Sequence, residues 1–167
     1  EAGEAGLGGG NEPRDTFVAP SRRQGQMEKL LDALYSQQSQ WYESDFADMS
    51  ATVNHQLSKR SLLVVYTSFD SLHAMERQLP YLQMLNKRHR VLLVFFIDNE
   101  KQQFLKTKAH TTEEYYQHVI VEKMMNEQHL IISQLRRHGI QSLLTTPQNL
   151  SADVVNRYLE MKARHAI

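Results

Sequence analysis

The stretch Arg60–Ser71, RSLLVVYTSFDS, limits what this chain can fold into more than any other part of it. It begins basic, passes through Leu62, Leu63, Val64, Val65 and Tyr66, and turns polar at Thr67, Ser68 and Asp70. Consecutive apolar residues rich in β-branched types fit a strand buried on both faces, and such strands belong to parallel sheets covered by helices. Ligands of parallel sheets bind just beyond the carboxyl ends of the strands. That places Thr67, Ser68 and Asp70 on the rim where an α/β protein does its binding.

Two further runs share the pattern. Arg90 to Ile97, RVLLVFFI, ends at Asp98, Asn99 and Glu100, and Ile140 to Leu144 ends at Thr145, Thr146 and Pro147. Amphipathic helices precede, separate and follow the three. One carries Met27, Leu30, Leu31, Leu34 and Tyr35 and is expected to start at Ser21. A second, behind Ser44 and Asp45, carries Phe46, Met49, Val53 and Leu57. Asp70 or Ser71 caps a third, with Leu72, Met75, Leu79, Leu82 and Leu85 as its stripe and Pro80 expected to kink or split it. A short helix near Gln102–Lys106 follows. Thr111 and Glu114 have capping-box spacing. They open a long helix through Tyr116, Ile120, Met124, Ile131 and Leu135 that Gly139 stops. Ser151 is expected to cap a last helix bearing Val154, Val155, Tyr158 and Leu159.

The order predicts an α/β fold with a parallel sheet of three strands and helices on both faces. The strand at Ser61–Thr67 is as apolar as a central strand and calls for a neighbour on each side. Its second edge therefore predicts either partner strands cut away upstream or another chain that covers it; a purely structural fragment that dimerises through this edge or swaps its N-terminal arm is a third reading of function.

Composition narrows the classes of function. Lysines and arginines balance aspartates and glutamates, 19 against 19. No electrostatic footprint for nucleic acid or an anionic membrane surface follows. Cysteine is absent, which removes disulfide and thiolate chemistry and fits a cytoplasmic setting. No apolar run is long enough to span a bilayer. Five of the seven glycines lie in the first ten residues, so residues 1–15 are expected to be a flexible arm and residues 16–167 the folded body. The chain opens on Glu1 rather than Met, as a piece of a longer protein would.

The candidate chemistry has two readings. Thr67, Ser68, Asp70, Asp98 and Glu100 are oxygen donors suited to magnesium, and two convergent carboxylates would make a phosphoryl or nucleotide enzyme. Helix capping and ordinary turns account for the same acids. His110, Glu114 and His118 lack the spacing of a zinc site. His55, His73, His89, His129, His138 and His165 are read as solvated surface residues. Ser68 follows a strand, but Phe69 is too large for a nucleophile elbow. No phosphate-binding glycine loop is present. On the last helix, Arg157, Glu160, Lys162 and Arg164 form either a docking face or a solvated one, with Glu160 and Arg164 spaced for an ion pair.

RSLLVVYTSFDS, the following ERQLPYLQMLNKRHRVLLVFF and the ending VNRYLEMKAR together resemble the bacterial family called domain of unknown function fifty-eight, in the versions carried by Bacteroidetes-type bacteria. The resemblance runs from about Thr16 to the C-terminus. It implies the C-terminal half of a von Willebrand factor A-like domain, a doubly wound, three-layer parallel sheet of which only that half is present, accessory to a MoxR-type AAA+ ATPase, with a parent protein tethered to the membrane by upstream helices. It further implies that Ser44-Asp45 stand where related domains place a metal-site threonine. Ser68 stands where they place an aspartate, and the main metal loop has no counterpart here. The expectation is a non-catalytic protein-interaction module without a cofactor or a competent metal site, binding a protein through Ser44, Asp45, Thr67, Ser68, Asp70 and Asp98.

Overall fold

The computed structural model of the chain describes residues 5–7, 18–21, 23–35 and 46–164. The chain divides into two compact units, Glu1–Ser58 and Lys59–Ile167. In the first, β1 (Ala5–Leu7) pairs antiparallel with β2 (Val18–Ser21), and helices α1 (Gln26–Tyr35) and α2 (Phe46–Gln56) follow. Ser21 thus ends a strand and does not start a helix. The turn before α1 needs a left-handed residue, supplied by Gly25 at φ 87°, a conformation only glycine adopts at little cost. Met27, Leu31, Leu34 and Tyr35, expected to be a core stripe, are exposed, and in α1 only Ala33 is buried.

The second unit is the α/β body. Its elements are β3 (Leu62–Tyr66), α3 (Leu72–Arg88), β4 (Arg90–Phe96), α4 (Asn99–Lys106), α5 (Thr112–Arg137), β5 (Gln141–Thr145) and α6 (Leu150–Ala163). The three strands form one parallel sheet in the order β3-β4-β5. Both crossovers advance in the same direction. Right-handed connections therefore bring α3 and α5 to the same face, where they touch: Gln83 of α3 meets His138 at 3.1 Å and Asn86 donates to the Gly139 carbonyl.

The core gathers on β4. Val91, Leu92, Leu93, Val94 and Phe95 are all buried, together with Met75, Leu82 and Leu85 of α3, Ile131 and Leu135 of α5, Ile140, and Met161 of α6. Both side-chain parities of β4 are buried, so both of its faces are covered. Each such side chain contributes about 1.5–3 kcal/mol. The central strand is thus β4. β3 is an edge, and its Leu62–Val65 are only half-buried.

Local chemistry sets the helix ends. Ser71, not Asp70, caps α3, its side chain accepting from the Ala74 N–H. α3 is not split at Pro80 but runs on to Arg88. Thr111 and Glu114 form the reciprocal capping box of α5. At the far end of α5, Gly139 sits at φ 73°. Its N–H reaches the Arg136 carbonyl and that of Ile140 the Leu135 carbonyl, which is a Schellman stop. Ser151 does not cap α6. Asn149 takes that position in a helical conformation and makes no side-chain cap bond.

Candidate functional site

The carboxyl ends of the strands form the rim that the sequence pointed to. β3 and β4 end on Tyr66 and Phe96, which are 53% and 42% exposed. Their rings stack, with centroids 6.3 Å apart and planes 11° from parallel. The register pairs Tyr66 with Val94, so the two terminal aromatics are offset neighbours on adjacent strands. Both are the last residues of their strands. Behind them Phe69 leans on the buried Phe95 at 6.0 Å. Beside the aromatic pair lie exposed Ser68 and Asp70 and half-buried Thr67. The Thr67 N–H extends the sheet ladder by donating to the Val94 carbonyl.

The rim acids do not converge. The Asp98 carboxylate caps α4, accepting from the N–H groups of Glu100 and Lys101, and pairs with the Lys101 ammonium at 3.3 Å. The Lys101 N–H, then the Lys101 side chain, hold its pKa below the ordinary carboxylate value. Asp70 stands exposed in the turn after β3. Among the described residues no group of three or more His, Asp or Glu side chains is placed to hold a metal ion. Ser44 and Asp45 lie outside the described residues.

The N-terminus of α3, at the carboxyl end of β3, is where an α/β protein would receive an anion. Here a protein carboxylate occupies it: Glu127 of α5 accepts from the Leu72 N–H at 3.0 Å. Nothing in the sequence signals this contact, because the partners are 55 residues apart. A shallow groove of about 470 Å³ opens beside it, lined by Leu72, Val119, Lys123, Asn126 and Leu130 among others. The N-terminal half of α5 leaves Tyr116, Ile120 and Met124 exposed, although their spacing continues the stripe that buries Ile131 and Leu135.

The remaining sequence candidates are structural. On the last helix, Glu160 pairs with Arg157 at 2.8 Å and not with Arg164; Lys162 and Arg164 are exposed. The expected stripe of α6 splits, with Val155 and Leu159 each 54% exposed and Met161 buried. Its first turn is tied to the sheet by Asp153, which accepts from the buried Thr145 hydroxyl at the end of β5. Glu114 closes its capping box and also accepts from the His110 N–H, which holds its carboxyl below the ordinary value. His118 packs edge-on against Phe104.

His89 corrects the surface reading of the histidines, for it is fully buried. Its Nδ1 accepts from the Ser61 N–H at 3.3 Å, joining the start of β4 to the start of β3. Burial, and then the neighbouring Arg88 charge, lower its pKa. The signal available in the sequence was its place between the last apolar turn of one helix and the first residue of the most apolar strand.

What the rim can do follows from this inventory. It has two stacked aromatics open to solvent, hydroxyl groups, the exposed carboxylates of Asp70 and Glu100, and an anion position already filled from within. The rim thus has an apolar centre and a polar surround. No family model matches the chain, and no curated protein and no solved structure matches it either.

Proposed function

We propose that the chain is a non-catalytic protein-interaction module of von Willebrand A-like type, accessory to a MoxR-type ATPase, and that it binds its partner through the carboxyl-end rim of its sheet. The observation that carries the reading is the exposed Tyr66–Phe96 stack. Aromatic side chains that are rigid, partly exposed and ringed by polar groups are the residues on which protein interfaces concentrate their affinity. The committed carboxylate of Asp98 and the self-occupied N-terminus of α3 favour this reading over a magnesium-dependent phosphoryl enzyme. Such an enzyme needs acids aimed at one point and an open anion position.

Calorimetric titration with a MoxR-type ATPase tests the reading. Tyr66→Ala and Phe96→Ala are each expected to weaken binding by about tenfold or more, while Lys162→Ala on α6 leaves it unchanged. Binding that ignores both aromatics sinks the rim. A thermal-shift titration with magnesium and nucleotides is expected to leave the melting temperature unmoved, and a saturable rise counts for the enzyme, since a ligand of the native state must raise its stability.

A further inference from the structure

The outer edge of β3 carries a second surface, which meets the rim at Tyr66, Ser68 and Asp70. The Ser61 carbonyl accepts from the Arg90 N–H, and the Thr67 N–H donates to the Val94 carbonyl. In a parallel ladder this parity turns the odd-numbered residues of β3 toward β4. The N–H and C=O groups of Leu62, Val64 and Tyr66 therefore point the other way. Among the described residues none pairs with them. Within Leu62–Tyr66 the strand has no proline, no charge and no bulge, three of the devices that blunt an edge. The sheet's other edge differs. β5 includes Gln141, Ser142 and Thr145, and its end is engaged by Asp153 of α6.

We infer that this edge pairs antiparallel with the same edge of a second copy of the chain, in the register that places Val64 opposite Val64. The three outward residues are spaced evenly about Val64. A two-fold axis there sets Leu62 against Tyr66 of the partner copy, and these positions exchange about six backbone hydrogen bonds. Charge selects the direction. Lys59 and Arg60, both exposed, precede the strand, and exposed Asp70 follows it. Antiparallel pairing lays the basic start of one copy along Ser68 and Asp70 of the other. Parallel pairing would set basic against basic. The product is a continuous sheet of twice the width in which β3, with its half-buried Leu62–Val65, becomes interior.

The chain contains no cysteine, so single-site crosslinking is clean. In the full chain, Val64→Cys is expected to form an intermolecular disulfide on mild oxidation, because opposed Cα atoms in such a pair lie about 5.5 Å apart. Leu62→Cys is expected not to, since the axis separates the two copies of that residue. Sedimentation equilibrium of the unmodified chain is expected to show a dimer. Arg60→Glu and Asp70→Lys should each raise its dissociation constant about tenfold through two symmetry-related contacts, and the double reversal should restore it. A monomer at every concentration overturns the inference, as does a dimer in which Leu62→Cys crosslinks as readily as Val64→Cys or the double reversal fails to rescue. The crosslinking variants leave the rim side chains untouched, so partner binding is read on Val64→Cys and Leu62→Cys and not on Asp70→Lys, whose residue lies on both surfaces; a dimer without partner binding and partner binding without a dimer are then told apart.

Discussion

β3 and β4 read almost alike, LLVVY against RVLLVFF, and the structure treats them oppositely. β4 is central, with five consecutive residues at 0–1% exposure. β3 is an edge whose apolar residues are half-buried. The difference teaches that a run of apolar residues states a capacity for burial, whereas the number of neighbouring strands decides how much of it is used. β3 is correspondingly held at its ends by polar contacts. His89 accepts from Ser61 before it, and Ser71 and Glu127 fix the start of the helix that follows it.

The largest expected effect sharpens this contrast in burial. Phe95→Ala in β4 should cost about 3–5 kcal/mol in urea unfolding. Val64→Ala in β3 should cost about 1 kcal/mol, because only part of its surface leaves water. Equal losses would break the distinction between centre and edge. Next, Glu127→Ala should cost about 2 kcal/mol by the same measurement, the worth of a charged hydrogen bond to a helix N-terminus. Glu122→Ala, an exposed acid one turn earlier on α5, should cost little.

A third prediction concerns pH. The folded pKa of His89 lies below its unfolded value of about 6.5. As pH falls through that value the unfolded chain takes up the proton first, so stability declines and then levels off below the folded pKa. His89→Leu should remove this decline. A second loss at lower pH belongs to Asp98 and Glu114. Their lowered pKa values supply stability that is present above the ordinary carboxylate range and disappears as pH falls through the folded values. Stability curves of the two proteins from pH 8 to pH 3 check both windows; a decline near neutrality that survives His89→Leu counts against the buried imidazole. The smallest effect separates two serines. Ser71→Ala should cost about 1 kcal/mol as a lost cap. Ser151→Ala, inside α6, should be neutral or slightly stabilising, since alanine is the better helix former. Comparable losses would restore Ser151 as a cap.

Much of the body was legible in the sequence because its signals are local. The three strand runs and the helices between them lie within a few residues of their expected limits. The capping box at Thr111 and Glu114 and the stop at Gly139 depend on residues within one turn of one another. The misread points are those where a local signal had two outcomes. Ser21 and Ser151 have the chemistry of caps, but the backbone around them adopts a strand and a helical turn. Of the candidate site, the rim residues Thr67, Ser68, Asp70 and Asp98 were legible as strand-end positions. The Tyr66–Phe96 stack was not, because both residues fell inside the runs Ser61–Thr67 and Arg90–Ile97, which read as buried strands.

By itself, then, the sequence determined the succession of elements in the α/β body, the parallel character of the sheet and the start and stop of α5, since each follows from periodicity and capping within a short window. The tertiary structure decided which strand is central, why Ile131 and Leu135 are buried while Tyr116 and Ile120 on the same helix are exposed, and where the polar anchors fall. Those outcomes depend on residues far apart in the chain, 28 positions between Ser61 and His89 and 55 between Leu72 and Glu127. Burial and hydrogen bonding at such distances are settled only when the layers come together.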